Sequence, residues 1–246
     1  MLRHVTTVLA ALLIAVAPSA RAQSSRPQFE VASVKAAKPS DTGFMDTTPG
    51  RFVATGIPLR ILLKEAYDLM DAQIDGGPDW INGDLWNVEG KAAPGETDES
   101  KITKMVQSLI EERFQLRFHR ETRELPVYEL TIPKGGPKMK VSANPGTPHG
   151  RMGRGSIEGT NFTVEILVKV LAHELDRPLI DKTALTGKYD MKLQWSREFD
   201  RSGNAPAPDQ PGLFTALQEQ LGLKLESSKG PVEVLVIDFV SKPTEN

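Results

Sequence analysis

The chain repeats its own order of helix and strand signals at a spacing of about 105 residues. The stretches "RFQLRFHRETRELPVYELTIPK" (113–134) and "QLGLKLESSKGPVEVLVIDFVSK" (220–242) both open with alternating apolar residues. Both then continue through charged residues to a Pro-Val pair and a β-rich run. A repeat at a fixed spacing indicates a modular architecture, so this feature limits the possible folds more than composition does.

The repeat extends to the predicted helices. Apolar residues between positions 59 and 70 fall on one helical face, and those between 164 and 175 do the same. Pro126 and Pro231 stand at the same offset in the strand regions. We therefore predict an internal duplication. The alternating apolar residues of the two long stretches should be core: Phe114, Leu116, Phe118, Leu221, Leu223 and Leu225.

The fold class that follows is α+β. A helix with one apolar stripe needs a sheet to bury it, so we predict two similar lobes with helices on a small, mostly antiparallel sheet. The predicted boundaries are 23–136 for the first lobe and 137–246 for the second, as two domains or one compact domain. Each long stretch is predicted to be an antiparallel hairpin that turns in its charged run. The segment "AQIDGGPDWINGDLWNVEGKA" is predicted to be two strands around a Gly-Gly-Pro turn.

Residues 1–22 have the pattern of a secretory signal peptide. Arg3 precedes an apolar run over 8–17, and an A-x-A site ends at Ala22. The apolar run is too short for a stable transmembrane anchor, and no later segment is apolar enough to cross a bilayer. We therefore expect cleavage before Gln23, a periplasmic or extracellular location, and no membrane span after cleavage.

Charge and cysteine content exclude several classes of function. The signal carries Arg3 and Arg21, so its removal changes the formal net charge from −2 to −4. A mildly acidic chain has no electrostatic basis for binding nucleic acid. The absence of cysteine excludes disulfides, thiol nucleophiles, Fe–S clusters and cysteine zinc sites.

The sequence contains no complete catalytic or cofactor motif. His173-Glu174 has no second histidine at the spacing of a zinc helix, and Ser156 lacks the flanking glycine pattern of a nucleophile elbow. The glycines of "GRGSIEG" do not match a dinucleotide fingerprint, and no Walker lysine motif is present. We expect no cofactor and no bound metal.

Five residues are the predicted binding candidates. Asp79 and Trp80 follow a tight turn, where an exposed tryptophan could anchor a ligand or partner. His119, Arg120 and Arg123 lie in the charged run "HRETRE", and arginine can hold a carboxylate or phosphate through two hydrogen bonds. The alternatives are a core tryptophan and a solvated, mixed-charge turn.

Long segments of the chain resemble one known family. These are "FEVASVK", "GIPLRILLKEAYDLMDAQIDGGPDWI", "ERFQLRFHRETRELPVYELTIPKGGPK", "RPLIDKTALTGKYDMKLQW" and "LFTALQEQLGLKLESSKGPVEVLVIDFVSKPTEN". Together they resemble the DUF3738 family, exported proteins with no established biochemical activity. Some of its members are similar to domains attached to the metallopeptidase part of BlaR-like sensors. The resemblance implies an exported domain with a role in sensing or binding.

The leading hypothesis is a non-catalytic binding or sensory module of the cell envelope, with an unknown ligand, envelope polymer or envelope protein as its partner. One alternative is a carboxylate-dependent hydrolase of an envelope or extracellular polymer. That enzyme needs two carboxylates in one cleft, and Asp79, Asp84, Asp181 and Asp190 are the acids that the sequence offers. A purely structural envelope component is a further alternative.

Overall fold

The computed structural model describes residues 26–41, 43–143, 146–153, 155–196 and 210–244. The predicted signal segment 1–22 lies outside the described residues. The first half of the chain (residues up to 136) and the second half (from 137) each form a small four-stranded sheet, and they share a third. The described helices and strands together confirm the α+β class.

The first half builds an antiparallel sheet with helices on its inner face. Its elements are β1 (Val31–Ala36), β2 (Phe44–Thr48), β3 (Arg51–Pro58), α1 (Leu59–Tyr67), β4 (Ile74–Gly76), α2 (Trp80–Gly83), β5 (Leu85–Lys91), α3 (Glu99–Arg113) and β6 (Arg117–Thr131). The order in the sheet is β1-β5-β3-β2, and every pair is antiparallel. The inner face and the apolar stripes of α1 and α3 enclose one core.

The second half builds a sheet of the same size. Its elements are β7 (Lys140–Val141), β8 (His149–Gly153), β9 (Ser156–Phe162), α4 (Val164–Ala172), β10 (Leu179–Asp181), β11 (Tyr189–Gln194), α5 (Leu213–Ala216), a π-helical turn (Leu217–Leu221) and β12 (Lys224–Phe239). The order is β7-β11-β9-β8, again with antiparallel pairs. The strand orders of the two outer sheets correspond one to one. The internal duplication itself stays a prediction.

The central sheet joins the two halves. Its order is β10-β6-β12-β4, and the long strands β6 and β12 pair antiparallel from Thr131–Lys224 to Arg117–Phe239. The short strand β4 runs parallel to β12, and β10 runs parallel to β6. Each half therefore pairs its short strand with the long strand of the other half.

The two hydrophobic cores exchange residues in the same way. Leu235 and Ile237 of β12 belong to the core of the first half, whereas Leu130 of β6 belongs to the core of the second half. Side chains alternate along a strand, and the register places all three on one face of the central sheet. Both outer units consequently pack on the same face of that sheet, at its opposite ends.

Local signals explain where the main helices begin. The Asp98 side chain accepts a hydrogen bond from Ser100 N at 2.9 Å at the start of α3, and Thr163 Oγ1 accepts one from Ile166 N at 3.4 Å at the start of α4. Such caps satisfy backbone donors that have no partner within the helix. Gly222, with φ of 64°, ends the π-helical turn in the left-handed conformation that glycine adopts easily.

The prediction of two hairpins is wrong. Each of the two stretches contributes one continuous strand, β6 or β12, and the charged run "HRETRE" lies inside β6 rather than in a turn. The partner of each strand is the other strand, about a hundred residues away. The ends of the stretches are core as predicted, since Phe114, Leu116, Leu221, Leu223 and Leu225 are buried and Phe118 is partly buried against the first core.

One further sequence prediction differs from the structure. The Gly-Gly-Pro segment is followed by the short helix α2, so Asp79 and Trp80 start a helix instead of a strand. The strands β2 and β8 form in polar segments of the chain. Of the helices within the described residues, none has the length and apolar character needed to cross a membrane.

Candidate functional site

His119 and Arg123 lie on one exposed face of the central sheet, in an ion-paired cluster. His119 Nδ1 is 2.8 Å from Asp238 Oδ1, and Arg123 Nη1 is 2.7 Å from Asp75 Oδ2. Arg123 also contacts Glu121. Its hydrogen bond to Asp75 holds the pKa of that carboxyl below its ordinary value, and the same carboxylate raises the pKa of Arg123. Both side chains already have protein partners, which leaves the arginine less available to a ligand.

Arg120 lies on the opposite face of the sheet. Its position differs by one from His119 and by three from Arg123, so the alternation of β6 directs its side chain the other way. There it contacts Glu233 of β12. The structure therefore does not bring the three residues of the charged run together into one binding surface.

Asp79 and Trp80 lie in a different region, at the start of α2. Asp79 is exposed, whereas Trp80 is half-buried against Trp86 and Phe114, with ring centroids 6.3 and 6.4 Å away. Lys242 Nζ is 5.7 Å from the Trp80 ring centroid. The Trp80 ring thus already packs against the first core and Lys242.

A large concavity lies in the second half, beside the central sheet. It has a volume of about 590 Å³ and is formed by β6, the segment after α4, the end of β11 and the start of α5. We call it the cleft. Its lining residues are Tyr128, His173, Glu174, Leu175, Asp176, Trp195, Ser196, Gly212, Leu213, Phe214 and Thr215.

A second concavity of about 500 Å³ adjoins the cleft and reaches the first half. It is lined on one side by residues 172–179 and on the other by residues 64–73, which follow the middle of α1. His173, Leu175 and Asp176 line both spaces. The two concavities therefore share part of a wall, and the lining of the second one comes from both halves of the chain.

The cleft combines aromatic rings with carboxylates. Phe214 is 45% exposed and packs edge-on against Tyr128, with centroids 5.3 Å apart. The Arg177 guanidinium lies 5.3 Å from the centroid of the Tyr128 ring. Asp176 forms an ion pair with Arg177 at 3.4 Å and is itself exposed. An apolar wall beside oxygen acceptors can bind a ligand that has both an apolar face and hydrogen-bond donors.

Local hydrogen bonds fix the walls of the cleft. Trp195 N donates to Gly155 O at 3.0 Å, and Ser196 N donates to Pro211 O at 2.9 Å. The Gln220 side chain donates to Gln194 O at 2.8 Å and accepts from Gln194 N at 2.9 Å. These bonds tie the end of β11 to the helical segment that carries Phe214, so the aromatic wall is formed before any ligand arrives.

The described residues give the cleft no assembled catalytic group. Ser196 and His173 both line it, but in the described part of the chain no hydrogen bond joins them, as nucleophilic catalysis requires. The four acids considered for hydrolysis stand apart. Asp84 forms an ion pair with Lys242, and Asp79 lies at the start of α2. Asp181 accepts a hydrogen bond from Thr183 N, and Asp190 accepts one from the Ser142 hydroxyl. Within the described ranges no three His, Asp or Glu side chains are placed to hold a metal.

Sequence analysis missed most of the cleft. It considered His173 only as a metal ligand and did not select Tyr128, Trp195 or Phe214. These aromatics are separated by tens of residues in the chain, and no local spacing relates them.

Fold and site define a two-part α+β protein with an open cleft beside a shared sheet. The family model "Protein of unknown function (DUF3738)" matches residues 60–240. The chain belongs to the DUF3738 family. No curated protein and no solved structure matches the chain. The biochemical function therefore has to be argued from the site.

Proposed function

We propose that the chain is a non-catalytic binding or sensory module, exported to the cell envelope, that holds a sugar-containing segment of an envelope polymer in the cleft. The observation that carries the proposal is the part-exposed ring of Phe214 on Tyr128, which lines the cleft together with Asp176. The proposed location follows from the predicted signal segment 1–22.

The chemistry of the wall favours sugar rings over other ligands. A pyranose presents an apolar face of C–H groups, which packs on an aromatic ring, and hydroxyls around its edge, which donate to carboxylates. The second concavity shares three lining residues with the cleft, so further rings of the same polymer have a neighbouring space to occupy. A small apolar ligand would leave the polar side of the cleft without partners.

The test is isothermal titration calorimetry of the mature chain with soluble peptidoglycan fragments and with N-acetylated chitooligosaccharides. We expect saturable binding that Phe214→Ala weakens about tenfold, equivalent to about 1.4 kcal/mol of lost contact. Phe239→Ala is the matched control, because that ring is 46% exposed, like Phe214 at 45%, but lies outside the cleft. Equal affinities for the two variants, or no binding of either ligand class, would contradict the proposal.

The proposed location has its own test. Intact-mass measurement of the protein recovered from the periplasm or the medium should give a chain that starts at Gln23. A chain that retains residues 1–22, or one found only inside the cell, would remove the envelope from the proposal and leave the binding site to be judged by calorimetry.

A further inference from the structure

The first outer sheet ends in a strand whose outer edge is free. β2 is the last strand in the order β1-β5-β3-β2, and among the described residues nothing pairs with its second edge. A free edge presents backbone N–H and C=O groups that can pair with another strand. The free backbone groups of β2 can therefore form hydrogen bonds with an extended segment.

The register shows which residues of β2 face that edge. Thr48 and Arg51 flank a two-residue loop, and the pairs continue as Asp46–Val53 and Phe44–Thr55. The pair that flanks such a loop is hydrogen-bonded, and hydrogen-bonded pairs alternate along the ladder. Thr48, Asp46 and Phe44 thus bond to β3. The backbone groups of Met45 and Thr47 point to the free edge.

A groove with an apolar floor lies directly beside this edge. It has a volume of about 310 Å³ and is lined by β2, α1 and α3. Phe52, Ala66, Ile102 and Val106 supply the floor, and all four are buried residues of the first core. The side chains of an added strand would alternate, one set entering the groove and the other set facing outwards. The groove shares no lining residue with the cleft, although Glu65 lines both the groove and the second concavity.

Charge selects the kind of segment. Asp46 and Glu65 line the groove, and neither has a hydrogen bond or ion pair through its carboxylate in the described part of the chain. Asp46 belongs to the outward set of β2, whereas Glu65 is an exposed residue of α1 at the rim. Two unpaired carboxylates favour a positively charged partner and disfavour a second copy of β2, which would bring two Asp46 side chains together.

We propose that β2 and its groove form a docking site for an extended basic peptide segment of another protein, which adds to the sheet as a fifth strand. Alternate residues of that segment enter the groove, where they are apolar except for one basic residue that pairs with Glu65 at the rim, and the outward residues between them are lysine or arginine that pair with Asp46. This is recognition by strand addition, in which the backbone bonds give affinity and the pocket gives specificity. The inference does not rest on the sugar site.

The experiment selects peptides from a phage-displayed library of random twelve-residue sequences on the mature chain, and then measures affinity by fluorescence anisotropy. We expect enriched sequences that alternate apolar residues with lysine or arginine. Thr47→Pro removes a backbone donor at the free edge without breaking the ladder to β3, and it should weaken binding about tenfold or more. The double variant Asp46→Asn with Glu65→Gln should weaken binding several-fold and reduce its dependence on salt.

The chain offers a matched control in the second half. Met152 precedes the residue that flanks the loop of the β8–β9 hairpin, as Thr47 does in β2, and β8 is also an edge strand. Met152→Pro should leave peptide binding unchanged.

Peptides methylated on alternate backbone nitrogens test the same contacts without altering the protein. Lack of any enriched alternating sequence, binding that Thr47→Pro leaves intact, or equal loss in Met152→Pro would overturn the proposal. Phe214→Ala should not change peptide affinity, so failure here and failure of the sugar proposal are distinguishable.

Discussion

The exchange of core residues between the halves predicts that a mutation in β12 destabilises both cores together. Leu235 comes from the second half of the sequence, is fully buried, and packs in the core of the first half. Replacing a buried leucine with alanine costs roughly 2–5 kcal/mol, from lost burial and from the cavity left behind. For a site with no exposed surface, we expect about 3 kcal/mol for Leu235→Ala. That is a large share of the ~5–15 kcal/mol that stabilises a domain.

The three tryptophans allow the two cores to be followed separately. Trp80 and Trp86 pack in the first core and Trp195 in the second. Urea unfolding is measured by fluorescence in a Trp195→Phe background and in a Trp80→Phe/Trp86→Phe background. In each parent protein we expect the fluorescence midpoint to equal the midpoint measured by far-ultraviolet circular dichroism, as one cooperative transition requires. With a urea dependence of about 2 kcal/mol/M, Leu235→Ala should lower both midpoints by about 1.5 M.

Phe239→Ala in the same strand is the control, since an exposed side chain should change stability by less than about 1 kcal/mol. Two separate midpoints in the parent proteins would refute the argument. So would a Leu235→Ala variant in which only the Trp80 and Trp86 signal moves, because the halves would then unfold as independent domains.

Two further predictions concern charge and backbone conformation. The pKa of Asp75 is lowered in the folded state from its ordinary value of 3.8, so this group contributes stability above that pH and loses it as the pH falls through the lowered pKa. Arg123→Gln removes the hydrogen bond that contributes most to the lowered pKa of Asp75. The urea midpoint of the variant should therefore fall less steeply between about pH 4 and 2. An unchanged dependence of the midpoint on pH would contradict the assignment. Gly222→Ala should lower the free energy of unfolding by about 1–2 kcal/mol, because φ is 64° and the new Cβ would lie 2.5 Å from Gly136 O. Gly83→Ala is the control, because a Cβ at that position has no atom within 4 Å. Equal unfolding midpoints for the two alanine variants would be the contrary result.

The sequence predicts what depends on local periodicity. The helices α1, α3 and α4 and the α+β class follow from apolar stripes and caps within a few turns of the chain. The central sheet could not be predicted in this way, because β6 and β12 are partners about a hundred residues apart. The charged run 119–124 resembled a turn, yet its residues are satisfied by ion pairs to Asp75, Glu233 and Asp238 on neighbouring strands. Local composition contains no information about such partners.

The same limit applies to the candidate site. Residue chemistry selects charged and aromatic residues, but the five selected residues lie in three places that do not converge. Whether Asp79, Trp80, His119, Arg120 or Arg123 binds anything stays a prediction. The cleft depends on the docking of the segment after α4 against β6 and α5, which is a property of tertiary packing. An alternating strand pattern cannot show that Tyr128 meets Phe214.

The most direct test of the sugar-binding cleft is a ¹H–¹⁵N spectrum of the tryptophan indole groups during titration with a peptidoglycan fragment. The chain has three tryptophans, of which Trp195 lines the cleft while Trp80 and Trp86 lie in the first core. If the cleft binds sugar, we expect a saturable shift of the Trp195 signal, with the other two signals unchanged. A saturating titration that leaves Trp195 in place, or that moves only Trp80 and Trp86, would contradict it.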